Sequence, residues 1–441
     1  MSLRPRHPLP TLLLSVSLVG LLAGPAIAQD ETPPDAPATA LRVSLDRLLA
    51  EHAFLSLEVV RSGIAGNPDF TAAAAVLEDN TTEIVAAIES VYGAEAAEAF
   101  GEHWRNHIGF LVDYARALVD GDADAAQLAS EQLDRYVADF SGFLAEAIPA
   151  LPQEAVEGLI EEHVQQLEHV SEFELSAFGD AYPAIRDTYR HMFTVGDGLA
   201  VGIVSLFPER FEGQEAAFSP ATDLRITLDR LFGEHTYLAA LAMRAALTDA
   251  PDAESAANAL AENSAELQDT IAEVYGAEAG EAFGALWESH VDSYFAYVTG
   301  LATDDDAVSE GAVEDLGEYQ TDFSAFVADA NPFVPAEVLE ALIATHTDHL
   351  ITQADAYAAG DYELAFEIAR DAYVHTAELS ASLAAAISDQ FPQRFPDAAM
   401  APDRGSPWPL VGATLVVLGA VVVALRSLAV SVSRRARPWS A

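Results

Sequence analysis

The chain has 441 residues, 70 of them acidic against 21 arginines with no lysine, for a formal net charge of −49, and it contains no cysteine. A surface this acidic repels phosphate backbones and so argues against nucleic-acid binding. The missing thiols exclude a disulfide framework, a thiolate metal site and a cysteine nucleophile, so a chain long enough for two ordinary domains must be held by packing alone.

Residues 1–28 read as a secretory signal peptide, with Arg4 and Arg6, an apolar run from Leu12 to Leu22, and Ala26-Ile27-Ala28 as the small-x-small cleavage pattern. Residues 29–40, with Pro33, Pro34 and Pro37 among acidic and small residues, read as a disordered lead-in. The stretch 41–63 then sets Leu41, Leu45, Leu48, His52, Leu55 and Val59 on one helical stripe with a histidine at its middle. It returns 183 residues later with Leu224, Leu228, Leu231, His235 and Leu238 on the same stripe.

The whole unit is written twice, at 41–211 and 224–396, with a linker at 212–223. Val91 to Ala96 (VYGAEA) returns at Val274 to Ala279, Pro149 and Pro152 return as Pro332 and Pro335, and FPERF at Phe207 returns as FPQRF at Phe391. Breakers divide the first repeat into six helical segments, 41–63, 69–91, 94–119, 123–147, 152–177 and 181–206, and no alternating strand pattern occurs. The expected fold is all-α: two tandem homologous up-and-down bundles of about six helices each, plus one C-terminal transmembrane helix. After a Pro/Gly-containing linker at 397–409, the apolar run at 410–430 is that helix. Residues 431–441, with Arg434, Arg435 and Arg437, mark the cytoplasmic side. The expectation is a single-pass protein of the cell membrane with the bulk of the chain extracytoplasmic.

Of the 12 histidines, His7 belongs to the signal peptide and eight pair between repeats: His52 with His235, His107 with His290, His163 with His346, and His191 with His375. His103, His169 and His349 have no counterpart. Each paired histidine lies on the apolar stripe of its helix, as in Phe100, Trp104, His107, Leu111, so four helices of each repeat turn one imidazole inward. Each buried imidazole needs partners for two nitrogens, and a shared metal ion satisfies several at once. The candidate metal ligands are therefore His52, His107, His163 and His191 in one repeat and His235, His290, His346 and His375 in the other. Imidazole donors favour Cu or Zn, with Fe compatible, and a closed set without carboxylate or thiolate points to binding more than to hydrolysis. Haem held by two histidines, and a structural or adhesive protein with metal-free core histidines, are the alternatives. Glu51, Asn80, Tyr136 and Tyr189, with their twins Glu234, Asn263, Tyr319 and Tyr373, are candidate orienting partners. Protons should displace the metal near pH 6 if the histidines titrate normally. No HEXXH, CXXCH, Walker A or dinucleotide-binding glycine pattern is present, and no Glu-x-x-His pair serves the core.

The run LDRL at Leu45, EH at Glu51, VYGAEA at Val91 and W-x-x-H at Trp104 resembles secreted bacterial Ala/Asp/Glu-rich tandem helical-repeat proteins, some labelled copper-amine-oxidase-like. The resemblance covers residues 41–396 and implies a helical repeat. The enzyme class in that label implies a β-rich domain and a tyrosine-derived cofactor. This sequence carries neither pattern, and no catalytic residue is transferred.

Overall fold

The computed structural model describes residues 35–176 and 178–396. The stretches read as a signal peptide (1–28) and a transmembrane helix (410–430) lie outside them, as do those read as the 397–409 linker and the basic tail. No helix among the described residues is long and apolar enough to cross a membrane. Everything described is helix or short turn.

The first repeat comprises α1 (Pro37–Ala65), α2 (Phe70–Tyr92), α3 (Ala94–Asp120), α4 (Ala123–Ala147), α5 (Gln153–Ser176) and α6 (Phe178–Leu206). A one-turn α7 (Gln214–Ala217) lies in the linker. The second repeat follows as α8 (Pro220–Leu247), α9 (Ala253–Tyr275), α10 (Ala277–Thr303), α11 (Asp306–Ala330), α12 (Ala336–Ala358) and α13 (Tyr362–Gln390). Helix α1 begins at Pro37, inside the stretch read as lead-in, because proline suits a first helical position and Ala38 is buried near Val204 and Ala217. Gly93 and Gly276, with φ of 88° and 96°, are single-residue joints that let α3 and α10 start directly after α2 and α9.

Consecutive helices pack side by side, and the last of each six returns to the first, α6 onto α1 and α13 onto α8. Alternate helices meet across the middle: α1, α3 and α5 touch one another in the first repeat, and α8, α10 and α12 do so in the second. That inner triangle positions the histidines described below.

Helices α1 and α8 are buried on every face over long stretches, from Leu49 to Val60 and from Leu231 to Ala245. A helix buried all round sits in the middle of a larger body, not at the edge of a separate bundle. The second face of each packs against the other repeat, and one apolar core runs through residues of both. The polar groups on this shared face are exchanged reciprocally. Glu51 accepts from Arg370 at 3.0 and 3.1 Å, from Tyr237 at 3.1 Å and from Asn80 at 2.8 Å. Its twin Glu234 accepts from Arg186 at 3.0 and 3.4 Å and from Asn263 at 2.8 Å. Arg186 and Arg370 are themselves counterparts, so each repeat supplies the other's counter-charge, as across a two-fold axis. Arg61 pairs with Asp252, and Arg244 with Glu58 at 3.1 Å, also between repeats. Gly233 permits the close approach here, since a Cβ would stand 2.5 Å from the Tyr189 hydroxyl and 2.6 Å from the Tyr373 ring.

Candidate metal centre

His52 comes from α1, His107 from α3 and His163 from α5, the three helices of the inner triangle. All three are buried, with 0, 1 and 3 % of their surface exposed. One nitrogen from each ring lies within 4.8 Å of the other two. The Nε2 atoms of His52 and His107 are 3.1 Å apart, and the Ser56 hydroxyl, one turn along α1, stands 3.4 Å from His52 Nε2. Trp104 closes one side, its ring centroid 4.6 Å from that of His52 and 4.9 Å from that of His107, and Tyr136 stacks on His107 at 4.7 Å.

The hydrogen bonding of this group is incomplete. Nδ1 of His52, Nδ1 of His107 and both nitrogens of His163 are buried without a partner. Burial pushes all three imidazoles toward neutrality: His107 is lowered to about 3, and His52 and His163 fall well below their ordinary value, with the neighbouring rings adding to the effect. Neutral imidazoles with free lone pairs are the form that ligates metal. Two nitrogens bound to one tetrahedral ion at about 2.0–2.1 Å would stand about 3.3–3.4 Å apart, close to the His52–His107 separation. His163 offers one nitrogen within 4.8 Å of both.

In the second repeat His235, His290 and His346 occupy the equivalent places on α8, α10 and α12, buried to 1, 1 and 7 % exposure. His235 and His290 keep an Nε2 separation of 3.4 Å, while the His235 and His346 ring centroids are 6.3 Å apart, against 5.9 Å for His52 and His163. Among the described residues only the first-repeat trio brings three ligand atoms within 4.8 Å. Neighbouring side chains differ. Tyr294 stands where the first repeat has Leu111 and sets its ring centroid 5.7 Å from that of His290, and Ala239 replaces Ser56. Burial lowers His235 and His346 to about 3 and His290 well below its ordinary value.

The fourth pair stands apart. His191 Nε2 donates to the Leu159 carbonyl at 2.9 Å, and His375 Nε2 donates to the Leu342 carbonyl at 2.9 Å. Both lie on the outer helices α6 and α13, where each imidazole ties its helix to the preceding one. The expectation that four rings converge in each repeat is thus replaced by three, because the inner triangle has three corners. The expected orienting partners divide as well. Tyr136 and Tyr319 stack on His107 and His290, the latter at 4.6 Å, whereas Glu51 and Glu234 are spent on the arginines of the other repeat. Tyr373 donates to the Arg47 carbonyl at 3.0 Å and belongs to the shared face, as does its neighbour Tyr189. Asn80 and Asn263 spend their amide donors on Glu51 and Glu234, while Asn263 also weakly favours protonation of His235. Ser56 was missed by sequence reasoning, and its one-turn spacing from His52 was the signal available.

Compared with family models, with curated proteins and with solved structures, the chain matches none.

Proposed function

We propose that the protein binds a transition metal ion, Cu or Zn, through His52, His107 and His163, as a membrane-anchored, extracytoplasmic binding protein and not as a hydrolase. The observation that carries this is the convergence of three buried, neutral imidazoles, one of which, His163, has no partner for either nitrogen. A structural histidine donates to a carbonyl, as His191 and His375 do, whereas both nitrogens of His163 are buried without a partner, which costs about 1–3 kcal/mol each unless one of them meets an ion shared with Nε2 of His52 and His107. Haem is disfavoured by geometry: a His52–His107 separation of 3.1 Å suits one shared ion, whereas two axial ligands must stand on opposite faces of a porphyrin. His235, His290 and His346 form a second, looser candidate centre of the same kind.

The test is elemental analysis of the full chain purified without chelator, alongside His107→Ala and His290→Ala. About one Cu or Zn per chain, lost in His107→Ala and retained in His290→Ala, is expected. Substoichiometric metal in all three proteins from a metal-replete host would overturn the proposal and leave the histidines as core polar links.

A further inference from the structure

Along the axis of the first repeat, next to the histidine trio, lies a largely enclosed cavity of about 40 Å³. His163 and Trp104 form one end, and Tyr92 stands at the other, half-buried with a hydroxyl that has no partner. The walls between are apolar, among them Leu49, Phe100 and Val195. A water needs roughly 10–15 Å³ by this measure together with two to four polar partners, and apolar cavities lacking those partners stay dry. The space exceeds one water in size, and apart from the unpartnered atoms of His163, Trp104 and Tyr92 its surface is apolar.

The second repeat differs at the positions that matter. Phe232 stands in place of Leu49, its ring centroid 5.7 Å from that of Trp287, and Asn331 stands in place of Ile148, donating to the Tyr275 hydroxyl at 3.0 Å. The phenol left without a partner in one repeat is satisfied in the other, and the larger ring fills the place of the smaller side chain.

We infer that this cavity binds one small neutral apolar molecule, of the size of a diatomic gas, and presents it to the three-histidine centre. The binding half stands on the cavity alone, and the presenting half rests on the metal proposal above. Xenon and carbon monoxide are the probes, used on the full chain in detergent. Saturable xenon binding at one site per chain, followed by xenon NMR, is expected for the wild type. Leu49→Phe, which installs the residue of the second repeat, should weaken it at least tenfold. Val195→Leu, matching Leu379, narrows the same space should Leu49→Phe fail to fold. With the chain loaded with Cu(I), carbon monoxide should give one infrared C–O stretch, reduced at least tenfold in Leu49→Phe at unchanged copper content. Xenon binding that is absent, or indifferent to both substitutions, overturns the inference whatever the copper content. Xenon binding without uptake of either copper or zinc overturns the metal proposal and the presenting half, and leaves the cavity as a binding site.

Discussion

The two repeats carry the same three histidines on the same three helices, yet one set is compact beside a cavity and the other is looser, with a tyrosine at its flank. The ligands therefore do not account for the difference. It lies in Leu49 against Phe232, Leu111 against Tyr294 and Ser56 against Ala239, neighbours that set spacing and access. At the shared face the repeats instead behave as equals, each lending an arginine to the other's glutamate. Duplication has kept the contacts that hold the halves together while the two interiors have moved apart.

The largest expected effect treats both interiors alike. Three buried histidines in each repeat stay neutral in the folded chain, while the unfolded chain binds protons at those positions below about pH 6.5. A depressed histidine costs stability as pH falls from 6.5 toward its folded value, about 1.4 kcal/mol per unit for each group. Asp46, Asp229 and Glu174 act in the opposite sense. Burial raises them, Glu174 to about 7, so they take up protons in the folded chain first and add stability as pH falls toward 4. The depressed histidines outnumber the raised carboxyls, so the metal-free protein loses stability as pH falls below about 6.5. Its urea midpoint should therefore drop steeply between pH 6 and 4.5, and a midpoint that stays flat across that window would contradict neutral burial of the histidines. Since burial holds the imidazoles of the folded site neutral well below their ordinary value, His107 down to about 3, metal loss in acid should follow unfolding and not the ordinary histidine value near 6.

Arg370→Ala and Arg186→Ala test the equality of the halves. Arg370→Ala leaves buried Glu51 without its cation, which typically costs about 3–5 kcal/mol, whereas Arg186→Ala leaves Glu234 with Arg190 at 3.6 Å. Chemical denaturation should show a loss for both variants in one cooperative transition, the larger for Arg370→Ala. Two separate transitions, or one variant of wild-type stability, would break the symmetry argued from the exchanged contacts.

Chelator sharpens the contrast between the interiors. A metal present at 100 times its dissociation constant stabilises the fold by about 2.7 kcal/mol. EDTA should thus lower the melting temperature of the wild type at neutral pH and have little effect on His52→Ala, while His235→Ala should still respond. The smallest effect is expected from Ser56→Ala, which gives the first repeat the residue of the second. Metal content should be unchanged and stability should shift by about 1 kcal/mol or less by denaturant titration, given the 3.4 Å contact.

Helix order and bounds were legible because the stripes, the Asp120-Gly121-Asp122 break and the paired prolines are local signals, and the six segments of the first repeat end within four residues of the helices observed. The three inward histidines were legible for the same reason. His191 was not separable from them, since an apolar stripe says that a residue is buried and not which neighbour it meets, and α6 turns its stripe to the Leu159 carbonyl. Nor did periodicity reveal the shared face. Glu51, expected to orient a histidine, is instead covered by the other repeat together with Glu58 and Arg61, a contact made between residues as far as 319 apart.

That separation has a consequence for the order in which the chain is made. Glu51 lies on the first helix, and its cation Arg370 lies on the last. A chain emerging from its N-terminus completes all six helices of the first repeat while a carboxylate destined for burial still lacks its counter-ion. Until α13 arrives that carboxylate favours water, so the face of α1 that carries it stays open while the rest of the first repeat folds. Loop-closure entropy over so long a span makes this pairing a late event, and the first helix settles only when the last is in hand.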